Sequence, residues 1–155
     1  MQEQAASRTA FRVALRRAAH QILDDPRVLD DPIAVPILGM DEEAIVTAAM
    51  RPGEGGYSTR LRAYFVARSR YAEDALATAV ASGVDQYVVL GAGLDTFACR
   101  NPFPALRVFE IDHPATQAWK RERIAASGLT LPASATFVPV DFERQSLEDA
   151  IAVSS

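Results

Sequence analysis

In the first 82 residues, apolar side chains recur at intervals of three and four positions, the period of one face of an α-helix. This spacing predicts three helices, over residues 7–23, 41–50 and 57–81. A glycine-rich loop, residues 51–56, is predicted between the second helix and the third. Ser7 is expected to cap the first helix, because a serine hydroxyl can accept a hydrogen bond from a free N–H of the first turn. The first helix is expected to stop at an Asp-Asp-Pro sequence and the third at Gly83.

After residue 86 the pattern changes to short apolar runs separated by polar segments. Three of these runs are predicted to be strands: residues 87–90, 107–112 and 136–141. A helix is predicted to open at Pro114 and to continue to about residue 126, since proline is favoured at the first helical position. Another is expected over residues 144–152. Strands that alternate with helices predict a parallel sheet with right-handed crossovers, so the fold class is α/β.

The order of the strands follows from two local features. Pro139 cannot donate a ladder hydrogen bond, so the third strand is expected at an edge of the sheet. A Rossmann-like sheet that begins in the order 3-2-1 places its third strand there. Val88, Val89 and Leu90 are apolar without alternation, which predicts a first strand buried on both faces. The sequence thus divides into a helical region, 1–82, and an α/β region, 83–155.

Composition and charge exclude several classes of function. The 155 residues carry a net charge of −4, whereas a nucleic-acid-binding protein usually has a basic excess. No apolar run is long enough to span a bilayer. A single cysteine, Cys99, allows no internal disulfide and fits a reducing cytoplasm. His20 and His113 are not at metal-ligand spacing, so no metal site is predicted.

The first candidate for chemistry is the turn after the first strand, which contains Gly91 and Gly93. Glycines allow a sharp turn and let a ligand lie against the main chain, whose N–H groups can bind an anionic group. A Gly-x-Gly sequence is a weak signal by itself. The alternative interpretation is a tight turn that binds nothing.

Acidic residues end the second and third predicted strands. Asp112 can accept hydrogen bonds from both hydroxyls of a ribose; alternatively, it caps the following helix. Glu110 is the second choice for the ribose. Asp141 can accept from an adenine amine, and Phe142 can pack on the ring; alternatively, they are a capping acid and a core aromatic.

Together these residues predict a nucleoside ligand, and the turn distinguishes two cofactors. NAD enzymes need a small third residue in Gly-x-Gly-x-x-Gly/Ala, where this chain has Thr96. Asp95 would repel a pyrophosphate. A cofactor without phosphate, such as S-adenosylmethionine, suits this turn better.

The chain resembles the leucine carboxyl methyltransferase-like family, in particular its bacterial branch of small-molecule O-methyltransferases. The resemblance is carried by these stretches: RRAA (16–19), LDDPIA (29–34), ARSRYAED (67–74), YVVLGAGLDT (87–96), VFEIDHP (108–114) and FVPVDFE (137–143). It implies part of a class I methyltransferase sheet, which is Rossmann-like, behind an N-terminal helical cap, with S-adenosylmethionine as cofactor. Two positions depart from the family pattern: Phe97 stands where relatives often have arginine, and Asp30 where relatives acting on protein C termini tend to have lysine.

The resemblance also implies roles for individual residues. An arginine of the third helix holds the methionine carboxylate, which corresponds to Arg68. The other cofactor-binding positions are Gly91, Gly93, Asp112, Asp141 and Phe142. No catalytic residue is assigned, because an ionised carboxylate acceptor needs no general base.

The expected activity is methyl transfer to a carboxylate or hydroxyl oxygen of a small molecule. The resemblance implies a sheet of about seven strands, of which three are predicted here. The chain is therefore expected to be incomplete, and to self-associate or to be completed by another chain. Two alternatives stay open: a non-catalytic remnant that binds the cofactor, and half of an NAD-dependent dehydrogenase.

Overall fold

The computed structural model describes residues 2–50 and 55–147 of the chain. Its elements, in chain order, are α1 (Gln2–Leu23), a short 3-10 helix (Pro36–Leu38), α2 (Glu42–Ala49), α3 (Gly55–Ala81), β1 (Gln86–Leu90), α4 (Phe97–Arg100), β2 (Arg107–Asp112), α5 (Pro114–Ala126) and β3 (Ala135–Pro139). The predicted order of helices and strands is confirmed.

The predicted helix ends are confirmed more often than the beginnings. Helix α1 stops at Leu23 as expected but begins at Gln2, so Ser7 lies inside the helix and the predicted cap is wrong. The alanine- and glutamine-rich sequence before Ser7 has high helix propensity, which explains the earlier start. Helix α2 is capped by Asp41, whose Oδ1 accepts from Ala44 N at 2.7 Å.

Other predicted boundaries also differ from the structure: β3 ends at Pro139, two residues before the predicted end at residue 141. Helix α3 begins at Gly55, so the predicted loop over 51–56 is too long by two residues, and 51–54 lie outside the described residues. The helix predicted over 144–152 is preceded by a turn at 142–144. Helical backbone begins at Leu147, and the rest of that prediction lies outside the described residues.

The three strands form a parallel sheet in the order β1-β2-β3, which confirms the predicted 3-2-1 order and the edge position of Pro139. Leu90 lies opposite Ile111, and Asp112 lies opposite Pro139. This register brings the residues that follow each strand to the same edge of the sheet, where open α/β sheets bind their ligands.

Strand β1 is less buried than predicted. The side chains of Tyr87 and Val89 pack in a cluster with residues of α3 and α4, but Val88 is 43% exposed and Leu90 is 57% exposed. Within the described residues β1 pairs with β2 alone, and no helix covers its second face. An apolar sequence allows a strand to be buried on both faces. Whether it is buried depends on the elements that pack against it.

The largest hydrophobic cluster lies around α1 and contains residues from both predicted regions. It includes Ala18, Ala19, Ile37, Leu38 and Ile45 from the helical part and Leu94, Ile124 and Phe137 from the α/β part. The division at residue 82 stays a prediction. Because Leu94 belongs to this cluster, α1 packs directly against the turn that follows β1.

Hydrogen bonds to Asp24 fix the C-terminal end of α1 against α3. Arg62 of α3 donates two hydrogen bonds to the Asp24 carboxylate, both at 2.8 Å. These bonds are the main reason why the pKa of Asp24 lies below its usual value. His20 Nδ1 lies 2.7 Å from the same carboxylate.

Among the described residues, no helix is both long enough and apolar enough to cross a membrane.

Candidate functional site

A cleft of about 530 Å³ lies at the carboxyl end of β1 and β2, between the sheet, α1 and α3. Its volume falls within the range of small-molecule sites, roughly 300–1,000 Å³. Its lining includes Ala10, Val13 and Arg17 of α1, Phe65, Arg68 and Ser69 of α3, the turn 91–95, Asp112 and Thr116. Four of the six predicted cofactor residues are therefore brought together: Arg68, Gly91, Gly93 and Asp112.

The glycine turn begins at the end of β1. Gly91 and Gly93 have φ angles of +63° and +53°, which L-residues with side chains rarely adopt. The N–H of Gly91 donates to Ile111 O at 2.8 Å, which ties the turn to β2. A Cβ at Gly91 would have no atom within 4 Å, whereas one at Gly93 would lie 3.0 Å from Ala10 Cβ. A side chain at position 93 is thus disfavoured both by the positive φ and by the close approach of α1.

We expect Gly93→Ala to destabilise the protein more than Gly128→Ala does. Both glycines have positive φ, and an alanine in this region costs roughly 1–2 kcal/mol. Position 128 has open space for a Cβ, whereas position 93 adds overpacking against Ala10, worth about 1–3 kcal/mol. Urea unfolding of both variants measures the difference. Equal losses would show that α1 yields without cost.

Asp112 holds the turn from the side of β2. Its Oδ2 accepts from Gly93 N at 2.6 Å and its Oδ1 accepts from His113 N at 2.7 Å. His113, not Asp112, caps α5, because its Nδ1 accepts from Ala115 N at 3.2 Å. The alternative interpretation of Asp112 as the helix cap is wrong. A carboxylate oxygen has about two lone pairs, so both oxygens of Asp112 can accept one more hydrogen bond.

Arg68 reaches the cleft from α3 and is exposed. Its guanidinium lies over the rings of Phe65, at 5.1 Å, and Tyr64, at 6.0 Å. Within the described part of the chain it forms no ion pair with an acidic side chain. Its charge is therefore available to an anionic ligand from this side of the cleft.

Asp141 and Phe142 lie beyond the lining of the cleft. Asp141 Oδ1 accepts from Glu143 N at 3.0 Å, which closes a turn after β3. The ring of Phe142 is 52% exposed, so the alternative of a core aromatic is wrong. Val140, the residue before them, is nevertheless hydrogen-bonded to the end of β2, because its N–H donates to Asp112 O at 2.9 Å. Their role at an adenine stays a prediction.

Glu110, the second choice for the ribose, is not in the cleft. Its side chain is 1% exposed and pairs with Lys120 of α5, which is also buried. Burial raises the pKa of Glu110, although Lys120 opposes the shift. Alternation along β2 places Glu110 and Asp112 on one face, but α5 covers only the earlier position.

An ion pair between α1 and the turn was not predicted from the sequence. Arg17 Nη1 donates to Asp95 Oδ2 at 2.8 Å, and Nη2 donates to Leu94 O at 2.5 Å. Burial raises the pKa of Asp95, but Arg17, Lys120 and Arg100 together with the N–H of Phe97 outweigh it, so this pKa lies below its usual value. Arg17 belongs to the RRAA stretch that carries the family resemblance, which is the one signal that pointed to it.

A second buried network holds the other side of the turn. Thr96 Oγ1 donates to Asp31 Oδ2 at 2.6 Å, and both residues are fully buried. Arg100 Nε donates to Thr96 Oγ1 at 3.2 Å, and its Nη1 donates to Glu73 at 2.8 Å. Three stretches that the resemblance singled out, around residues 31, 73 and 96, are therefore joined by one set of hydrogen bonds.

The described residues offer no other obvious chemistry. They contain no group of three or more His, Cys, Asp and Glu side chains that could hold a metal ion. Burial raises the pKa of the Cys99 thiol, which keeps it in the unreactive protonated form.

Comparison with known proteins gives a consistent result. The sequence model of the family described as "Leucine carboxyl methyltransferase" matches residues 10–155. A Bacillus subtilis (strain 168) protein named "Putative S-adenosyl-L-methionine-dependent methyltransferase YktD" is 32% identical over 93% of this chain and 55% of its own length. Relatives from Saccharopolyspora erythraea and Parafrankia sp., named for the same activity, are 36% and 37% identical over 86% and 81% of this chain and 46% and 41% of their own lengths. The chain spans about half the length of the curated relatives it matches.

Proposed function

Because this chain belongs to the leucine carboxyl methyltransferase family, we propose that it binds S-adenosyl-L-methionine in the cleft and serves methyl transfer to a small molecule. The observation that carries the proposal is the convergence of Gly91, Gly93, Asp112 and Arg68 on one cavity of suitable size. The acceptor atom is an oxygen, of a carboxylate or a hydroxyl group.

The residues of the cleft fit this cofactor. Arg68 supplies an exposed positive charge for the methionine carboxylate, and Asp112 supplies a carboxylate for the two ribose hydroxyls. The open space at Gly91 lets the nucleoside approach the main chain closely. Asp141 and the exposed ring of Phe142 follow β3, next to Asp112, where they serve the adenine.

The residues of this chain contribute to the reaction by binding the cofactor and by orienting it towards the methyl acceptor. The sulfonium of the bound cofactor supplies an activated methyl group. Holding two reactants in line contributes a large part of a rate enhancement, and an ionised carboxylate acceptor requires no proton transfer. Val13, Phe65 and Leu90 supply apolar lining to the cleft.

One argument against NAD is weaker in the structure than in the sequence. Asp95 was expected to repel a pyrophosphate, but Arg17 compensates its charge. The case for S-adenosylmethionine over NAD therefore rests on the family match and the names of the relatives. Binding of the cofactor without transfer of its methyl group stays the alternative, and an activity assay distinguishes the two.

Isothermal titration with S-adenosylmethionine, S-adenosylhomocysteine and NAD tests the proposal. We expect the first two to bind and NAD not to bind. Binding of NAD alone would support the dehydrogenase alternative. Transfer of a labelled methyl group to carboxylic acids or phenols would then separate an enzyme from a remnant that only binds.

The exposed edge of β1 supports a proposal about partners. Within the described residues β1 pairs with β2 alone, so its other edge is unpaired, and the adjoining face exposes Val88 and Leu90. An unpaired strand edge next to apolar surface favours pairing with another chain. We propose that the sheet is extended by a second copy of this chain or by a completing chain.

A cytoplasmic location is also proposed, supported by the single cysteine.

A further inference from the structure

We propose that Arg17 is the positioning residue of the cofactor turn: it sets the geometry of residues 91–97, and through them of Asp112, without touching the cofactor. The inference rests on the proposed function for its ligand, but the arrangement it describes exists in the protein without ligand.

Arg17 is placed to hold the turn from the side of α1. Its side chain is 4% exposed, and its guanidinium donates hydrogen bonds to two consecutive residues, to the carbonyl of Leu94 and to the carboxylate of Asp95. A planar guanidinium with several donors in fixed directions suits such a double contact. Helix α1 also touches the turn directly, because Ala10 fills the space beside Gly93.

The two bonds of Arg17 reach the ligand-binding groups through the main chain. Asp95 N donates to Ala92 O at 2.8 Å, and Asp95 Oδ1 accepts from Phe97 N at 2.8 Å. These bonds close the turn around Gly93, whose own N–H donates to Asp112 at 2.6 Å. A change at Leu94 or Asp95 therefore moves the N–H that orients the ribose carboxylate.

Charge makes Arg17 specific for this task. Without it, the partly buried Asp95 carboxylate, whose side chain is 27% exposed, would have only the more distant Lys120 and Arg100 to compensate its charge, which is unfavourable for a carboxylate that has lost part of its hydration. The Asp95 side chain would then turn towards solvent, and the turn would rearrange with it. The other predicted cleft cation, Arg68, is exposed on α3 and has no such link to the turn.

A direct contact with the ligand is the competing explanation. Arg17 lines the cleft, and its buried Nε has no hydrogen-bond partner among the described residues. If this atom binds the methionine carboxylate, loss of Arg17 will affect only ligands that carry a carboxylate. A positioning role predicts that ligands with and without a carboxylate are affected alike.

The first experiment uses hydrogen exchange of the ligand-free protein. In Arg17→Met, we expect the amides of Gly93 and Phe97 to exchange at least about tenfold faster than in wild type. Arg62→Met is the matched control, because it removes another largely buried arginine, whose ion pair with Asp24 joins α3 to the end of α1 and lies away from the cleft. It should leave exchange in the turn unchanged. Wild-type exchange in Arg17→Met, or equal acceleration in the control, would overturn the inference.

The second experiment measures the affinity for S-adenosylhomocysteine and for methylthioadenosine, which has no carboxylate. We expect Arg17→Met to weaken both by a similar factor of about ten or more, and Arg62→Met to weaken neither. Loss confined to S-adenosylhomocysteine would overturn positioning in favour of a direct contact. If wild type binds neither ligand, the proposed function fails while the exchange experiment still decides the role of Arg17.

Arg17→Lys covers the case in which the methionine variant does not fold. An ammonium group can pair with Asp95 but cannot also reach Leu94 O in the same geometry. We expect the exchange rate at Gly93 and the ligand affinity to lie between those of wild type and Arg17→Met. If Arg17→Met cannot be purified, we expect exchange faster than in wild type and affinity weaker than in wild type. Wild-type behaviour of Arg17→Lys in both measurements would contradict the requirement for two bonds.

Discussion

Replacing Asp112 with alanine is expected to weaken the affinity for S-adenosylhomocysteine by about a hundredfold. Two hydrogen bonds from ribose hydroxyls to a charged acceptor contribute roughly 1.5 kcal/mol each, and about 1.4 kcal/mol corresponds to a factor of ten. The substitution also removes the acceptor of Gly93 N, which adds to the loss. Isothermal titration of the folded variant measures the effect.

Two controls separate the ribose contact from the support of the turn. Asp112→Asn keeps an oxygen that can accept from Gly93 N but removes the charge, so we expect an intermediate loss of affinity. Asp74→Ala changes a carboxylate on the exposed face of α3 and should leave binding as it is. An affinity of Asp112→Ala within about threefold of wild type, less than 1 kcal/mol, would reject the ribose role.

Lys120→Met is expected to destabilise the protein by about 3–5 kcal/mol. Lys120 and Glu110 are both buried to 1% exposure, and removing one partner of a buried ion pair leaves an uncompensated charge. The other carboxylate oxygen of Glu110 has no hydrogen-bond partner among the described residues, so nothing there replaces the lysine. Such a loss is a large part of the total stability of a domain, about 5–15 kcal/mol.

The pH dependence of this loss identifies its cause. Burial already raises the pKa of Glu110, and removal of Lys120 raises it further. An acid whose pKa is raised by folding destabilises the native state fully above its folded pKa, and this penalty disappears as the pH falls towards its unfolded pKa, about 4.3. The difference in stability between Lys120→Met and wild type should therefore shrink on acidification from neutral pH.

A double variant and a surface variant complete the test. Glu110→Leu combined with Lys120→Met replaces the pair by apolar side chains and should recover most of the lost stability. Arg70→Met breaks an exposed pair with Asp74 and should leave the melting temperature unchanged. A double variant as unstable as Lys120→Met would show that packing around the lysine stem, not the charge, is responsible.

The position of the cofactor turn was predictable because its causes are local. An apolar run closed by Gly91 and Gly93 requires a strand followed by a sharp turn, and Pro139 alone excludes a central strand. The strand order then places Asp112 beside the turn, where the structure has it. Arg68 was predicted by resemblance only, since an arginine on a helix surface has no local feature that distinguishes it from its neighbours.

The partners of the buried charges were not predictable in this way. Arg17 and Asp95 are 78 residues apart, and Thr96 and Asp31 are 65 apart. A charged side chain on a helix is usually solvated, so its sequence context indicates exposure unless the packing of the helix is known. For the same reason Glu110 resembled Asp112 in the sequence, and only the position of α5 shows that it pairs with Lys120.

The sequence by itself determined the α/β class, the succession of helices and parallel strands, the edge position of β3 and the glycine turn, because periodicity, proline and glycine act through the backbone nearby. The tertiary structure decided how far β1 is buried, which acids reach the cleft, and that α1 packs on the turn through Ala10 and Arg17. These depend on contacts between elements far apart in the chain, where the same side chain can be exposed, paired or buried according to what packs against it.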